Sequence, residues 1–176
     1  MTPARAARDR RGAILAFIER YPGVHVREVE RQLGLSNRLA SYHLEALHAG
    51  GAVALLRERG HVRVVARNQA MLLPAAEVRF ICMMRRGPAL RIVLLLLEHR
   101  ELRQGAIAEM LDLAKPSASY HLAGLLDAGV ARARRDGRER FYRLADPTWV
   151  RAKLATFEPL PGERDAFTAL WDDFLR

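Results

Sequence analysis

The sequence predicts a mainly α fold with small β-hairpins, an α+β class, built as two tandem copies of one compact unit with linking and C-terminal helices. Three observations carry this. The string ASYHL occurs at Ala40–Leu44 and again at Ala118–Leu122, 78 residues apart. The same shift lays Leu33 on Leu111, Leu35 on Leu113 and Leu47 on Leu125, so eight of the 15 positions from Leu33 to Leu47 recur. Such a match is an internal duplication, and its period suits a small domain with a linker rather than a solenoid. In each copy, apolar residues at helical spacing are followed by two short runs rich in β-branched residues or arginine around a glycine.

In the first copy Ile14, Phe17 and Ile18 mark a helix that Pro22-Gly23 stops. Val26, Val29 and Leu33 line one face of a second helix, and Gly34 suits a left-handed cap at its end. Ser36 then caps a third helix, leaving the short turn between helices of a helix-turn-helix. That helix stops near Gly50-Gly51, and VALLR (53–57) and HVRVV (61–65) read as strands about a turn at Gly60. In the second copy Ala114 replaces the capping serine, with Pro116 favouring the helix start. ARARR (131–135) and RERFYRL (138–144) flank Asp136-Gly137, read as the centre of a type I′ turn. Three helices and a hairpin make a winged helix. The domains expected are a basic N-terminal arm (1–10), winged helix one (11–68), a linking helix (69–87), winged helix two (88–145) and a C-terminal helical docking or dimerisation segment (146–176).

The stretches PGVHVREVERQLGLSNRLASYHLEALHAGGAV and LDLAKPSASYHLAGLLDAGVARARRDGRERFYRL resemble the winged helix-turn-helix of ArsR-type prokaryotic transcriptional regulators, the first of them archaeal members especially. The resemblance implies DNA binding. Family members that sense metals use cysteine, histidine or carboxylate clusters, and this chain has one cysteine, Cys82, so no thiolate cluster and no internal disulfide are available. No cofactor or metal is expected.

Charge agrees with a polyanionic partner. The formal net charge is +9 and the sequence pI about 10.8, mostly from arginine. The longest apolar run, Ile92–Leu97, is far too short to span a bilayer, and the N-terminus shows no secretory signal, so a cytoplasmic, nucleoid-associated address is expected. An enzyme is not expected, because no nucleophile-base pair, metal-ligand spacing or phosphate-cradling glycine loop is present.

On a helical wheel of the third helix, Ala40, Leu44 and Leu47 face inward, while Arg38, Tyr42, Glu45 and, at the edge, Ser41 face outward. The early outward residues of this helix are those that meet base edges in a helix-turn-helix. The DNA-binding residues expected from the first copy are therefore Asn37, Arg38, Ser41 and Tyr42 with Arg57, Arg59 and Arg63 of its wing. From the second they are Lys115, Ser117, Ser119 and Tyr120 with Arg132, Arg134, Arg135, Arg138 and Arg140 of its wing. Arginine and lysine suit guanine or phosphate, serine either, and tyrosine a base edge or a thymine methyl. The alternative for Tyr42 and Tyr120 is partly buried packing with a wet hydroxyl. His43 and His121 are read as bonded to the domain's own backbone. The alternative for the charged wing is an ordinary solvated hairpin.

Outside the repeats, Ala75–Arg86 reads as a helix packing between the domains or against a second chain, its Met and Cys residues filling core gaps. LRIVLLLLEHR, apolar nearly all round, reads as deeply buried. Asp146-Pro147 starts a helix bearing Val150, Leu154 and Phe157, and a last helix carries Phe167, Leu170, Trp171 and Phe174. Residues 151–176 hold four basic and five acidic side chains, which favours docking on protein or a homodimer interface over DNA contact. The function expected is a transcriptional regulator that holds double-stranded DNA through two winged helices. The alternatives are an architectural DNA-coating protein of low sequence preference and a protein-interaction winged helix.

Overall fold

A computed structural model describes residues 3–58, 60–162 and 168. The chain divides into two compact units, Met1–Val78 and Arg79–Arg176.

The first unit opens with α1 (Pro3–Arg20), which buries Ile14 and Ile18. The basic segment expected as an arm is thus helical from Pro3, with the side chains of Arg5 and Arg8 outside the described residues. A strand too short to be expected from sequence, β1 (Val24–His25), leads into α2 (Val26–Leu33). Gly34 closes α2 with φ 62°, and Ser36 caps α3 (Asn37–Ala49) by accepting from Leu39 N at 3.4 Å. The hairpin β2 (Val53–Glu58) and β3 (His61–Ala66) completes a three-stranded antiparallel sheet ordered β1-β3-β2. Two further short helices follow, α4 (Arg67–Leu72), which no sequence pattern marks, and α5 (Ala75–Met84), across which the division between the units falls.

Instead of continuing to Arg86, α5 stops at Met84, and Arg86 becomes the residue before α6 (Gly87–His99). Phe80, Met83 and Met84 pack into the second unit's own core, so the apolar face expected to lie between domains or on another chain is used there. Ala89, Leu90 and Ile92–Leu97 of α6 are all buried, and each such aliphatic side chain contributes about 1.5–3 kcal/mol. β4 (Glu101–Arg103), α7 (Gln104–Met110) and α8 (Lys115–Asp127) follow. The hairpin β5 (Ala131–Asp136) and β6 (Glu139–Leu144) pairs with β4 in the order β4-β6-β5. α9 (Pro147–Ala155) is capped by Asp146, which accepts from Trp149 N at 2.9 Å, and buries Val150 and Leu154. The last helix expected over Phe167, Leu170, Trp171 and Phe174 lies outside the described residues.

The duplication reaches the backbone hydrogen bonds. Leu35 N to Glu30 O recurs as Leu113 N to Ala108 O, Ala52 N to Leu47 O as Val130 N to Leu125 O, and Arg67 N to Ala52 O as Ala145 N to Val130 O. Gly51 (φ 72°) and Gly129 (φ 73°) occupy matching left-handed positions where the third helix of each unit turns into the wing. One expectation shifts by a residue. Asp136 pairs with Glu139, so the turn residues are Gly137 and Arg138. Gly137, at φ 58°, is then the first central residue, as a type II′ turn requires, not the second of a type I′ turn.

Candidate nucleic-acid interface

Each unit presents the polar side of its third helix beside its wing. On α3, Ala40, His43, Leu44 and Leu47 are buried, while Asn37 and Arg38 are exposed, Ser41 is half-buried and Tyr42 is 57% exposed. Asn37 Nδ2 donates to Glu30 Oε1 at 2.7 Å, which ties the start of α3 to α2. Arg57 is exposed on β2, and Arg59 lies outside the described residues.

Arg63 departs from expectation. Only 7% exposed, it donates from Nη1 to the Gly23 carbonyl at 3.2 Å. It sits on β3, the central strand of its sheet, and shares a face with Val65, which is also buried. A guanidinium so placed braces the loop before β1 rather than facing phosphate. The first wing therefore offers fewer cations than its sequence suggests.

On α8, Ala118, Leu122, Gly124 and Leu125 are buried, Lys115 and Ser119 exposed, and Ser117 half-buried. Tyr120 differs from Tyr42. It is half-buried, and its hydroxyl accepts from Nη1 of the buried Arg86 at 3.4 Å, closer to the packing alternative than to an open base contact. Ser119 Oγ accepts from Gln104 Nε2 at 2.6 Å, and Gln104 Oε1 accepts from the Tyr142 hydroxyl at 3.1 Å.

The second wing is exposed from Arg132 to Arg140, and Arg143 is exposed as well. Its arginines differ in their partners. Arg134 forms a forked pair with Glu101 (2.7 Å) and reaches Asp136 (3.0 Å), its guanidinium 4.5 Å from the Phe141 ring centroid. These hydrogen bonds hold the Glu101 carboxyl below its ordinary pKa and push that of Arg134 up. Arg103 pairs with Glu139 at 2.9 Å. Arg132, Arg135, Arg138, Arg140 and Arg143 form no ion pair among the described residues. A cleft of about 300 Å³ between the wing, α7 and the start of α8 is lined by Arg103, Gln104, Lys115, Arg138, Glu139 and Arg140. Four of those six carry positive charge, which suits an anionic backbone. Sequence reasoning missed Gln104, Arg103 and Arg86. Arg86 and Gln104 owe their roles to partners 34 and 15 residues away.

Of the two repeated histidines, His43 is buried and His121 half-buried. His43 is 1% exposed, and the Nδ1 atoms of both His43 and His121 are buried without a hydrogen-bond partner among the described residues, so the backbone bond expected there is absent at that nitrogen. Burial, then Arg11 and Arg10, lowers the pKa of His43; burial, then Arg86, lowers that of His121. Among the described residues no group of three or more His, Cys, Asp or Glu side chains could hold a metal ion. No described helix is long and apolar enough to cross a membrane.

Residues 88–133 match the sequence model of a family described as bacterial regulatory protein, arsR family. The arsenic resistance transcriptional regulator ArsR1 of Pseudomonas putida is 39% identical over 66 residues, covering 36% of this chain and 52% of that protein. The chain thus spans about half the length of the curated relative it matches. Among solved structures, HlyU from Vibrio cholerae is 27% identical over 44% of this chain and 87% of its own, with a TM-score of 0.42. The homodimeric winged helix-turn-helix DNA-binding domain Mb0332 from Mycobacterium bovis, called a possible ArsR-family regulator, is 29% identical over 51% and 80%, with a TM-score of 0.43. The second unit is an ArsR-like winged helix-turn-helix.

Proposed function

We propose that the chain is an ArsR-type transcriptional regulator that binds double-stranded DNA through both winged units. In this reading α3 and α8 enter major grooves about one helical turn apart, and the second wing lies on the backbone or in the minor groove. The observation that carries it is the row of exposed arginines at 132, 135, 138, 140 and 143, without ion pairs among the described residues, beside the cleft that opens onto α8. The family match over 88–133 supports the same unit as the DNA-holding one. Exposed Arg38 and Tyr42 on α3, with the differing start Lys115-Pro116 on α8, favour two related but unequal half-sites.

A second reading, an architectural protein that coats DNA, is favoured by one feature. The Tyr120 hydroxyl already bonds to Arg86 within the fold, so the second unit offers fewer open groups for base reading than the first. Selection of duplexes from a random pool by the full chain separates the two. A regulator should prefer its selected site over random DNA by roughly 10³ or more at physiological salt, and a coating protein should not. Absence of duplex binding even at low salt would overturn both and leave a protein-interaction module. The mass of the complex read alongside decides between one chain with two heads and a homodimer with four.

A further inference from the structure

In the second unit three polar side chains from three elements form one chain of hydrogen bonds. Tyr142, on β6, is 2% exposed, and its hydroxyl meets Gln104 Oε1 at the start of α7. Gln104 Nε2 meets Ser119 Oγ on the outward side of α8 at 2.6 Å. A buried phenol needs a partner, and the amide supplies it. If Tyr142 donates to the amide oxygen and the amide nitrogen donates to Ser119, the serine's one remaining proton is left to point outward.

An anion outside the protein favours that polarity, because each donor along the chain then points toward it and the bonds reinforce one another. The surroundings fit, since Gln104 shares its cleft with Lys115, Arg138 and Arg140. The first unit has nothing comparable. The positions matching Gln104 and Tyr142 are Val26 and Val64, and Ser41 has no side-chain hydrogen bond among the described residues.

We infer that Gln104 is a positioning residue for DNA contact: braced by Tyr142, it fixes Ser119 as an outward hydrogen-bond donor to a phosphate or base acceptor of the duplex. This rests on the duplex-binding reading above. It gives two serines at equivalent places in the repeat different roles, a fixed donor at 119 and a free rotor at 41.

The test is a double-mutant cycle in the full chain, with affinity for the enriched duplex pool and melting temperature both measured. Gln104→Met keeps the length and loses the donor. It should weaken binding roughly fivefold when Ser119 is present, and change it little in the Ser119→Ala background. Any loss in melting temperature should be smaller in the Ser119→Ala background, where the 2.6 Å bond is already gone, and binding is compared well below the melting temperature of every variant. Gln104→Glu can only accept, so Ser119 should turn its proton inward; its loss should likewise exceed the charge penalty read in the Ser119→Ala background. Ser119→Ala should cost more than Ser41→Ala. Additive effects of Gln104→Met and Ser119→Ala, with duplex binding otherwise intact, would overturn this inference alone. A wild-type chain that binds no duplex would overturn the functional reading and this inference with it.

Discussion

The two units share a scaffold and differ in what they present. Both run helix, short strand, helix, helix and hairpin, with sheets ordered alike and matching backbone bonds where the third helix turns into the wing. In the first, Tyr42 is open to solvent, and Arg63 is withdrawn into the sheet. In the second, Tyr120 and Ser119 are held from within, while five arginines of the wing lack ion pairs among the described residues. Alanine and leucine recur at the core positions, and at the outward positions Ser41 and Tyr42 recur as Ser119 and Tyr120 while Arg38 and Glu45 become Pro116 and Ala123. On the duplex-binding reading proposed above, this difference predicts a division of labour in which the first unit reads and the second grips.

That division is most exposed to a test at the wings. Replacing Arg132, Arg135, Arg138 and Arg140 by alanine should weaken binding to every duplex by on the order of a hundredfold at low salt, if each screened interaction is worth up to about 1 kcal/mol. The slope of log K against log salt should fall by roughly 0.9 for each phosphate that these arginines neutralise. Arg57→Ala in the first wing should cost less than about twofold, the low end of the same range. Equal losses per arginine from the two wings would show that the units share the grip.

Acid sharpens the comparison differently, because His43 and His121 hold matching positions and should behave alike, while His25, also depressed, adds a group to the first unit alone. In the folded chain both His43 and His121 titrate below the ordinary value of 6.5. Between the folded and unfolded values the unfolded chain binds more protons, so stability is full above 6.5 and declines as pH falls through the folded pKa. The decline is at most about 1.4 kcal/mol per pH unit for each histidine. Glu101, also depressed, contributes its loss only below its ordinary 4.5. His43→Leu or His121→Leu should each flatten the acid limb of a denaturation series, with neutral-pH stability unchanged or raised because a buried nitrogen without a partner is removed. An acid limb unchanged in both variants would show that neither histidine is held neutral by the fold.

How much of this was legible in sequence follows from the range of the interactions. The apolar faces of α3 and α8, the Ser36 and Asp146 caps and the strands of both hairpins are local patterns, and they stand where the sequence placed them, with the second turn shifted by one residue. β1 and β4, at two and three residues, are too short to show alternation and exist because β3 and β6 offer them an edge. Arg63 read as a wing cation because its charge was visible and the covering of its face was not, although its strand neighbours Val64 and Val65 were a hint. The Arg134 pair with Glu101 joins residues 33 apart, and nothing at either end marks the partner.

The smallest expected difference concerns one backbone position. Gly34 ends α2 at φ 62°, and its counterpart after α7 is Asp112 at φ 49°. A left-handed residue costs alanine about 1 kcal/mol, whereas aspartate tolerates that region better. Gly34→Ala should therefore destabilise the chain by about 1 kcal/mol in chemical denaturation. Asp112→Gly relieves strain but adds freedom to the unfolded chain, so the two effects should cancel to within about 0.5 kcal/mol. A large gain from Asp112→Gly would show that the second copy carries real strain at its helix-turn-helix corner, and that the duplicated turn is tighter there than its matching hydrogen bonds imply.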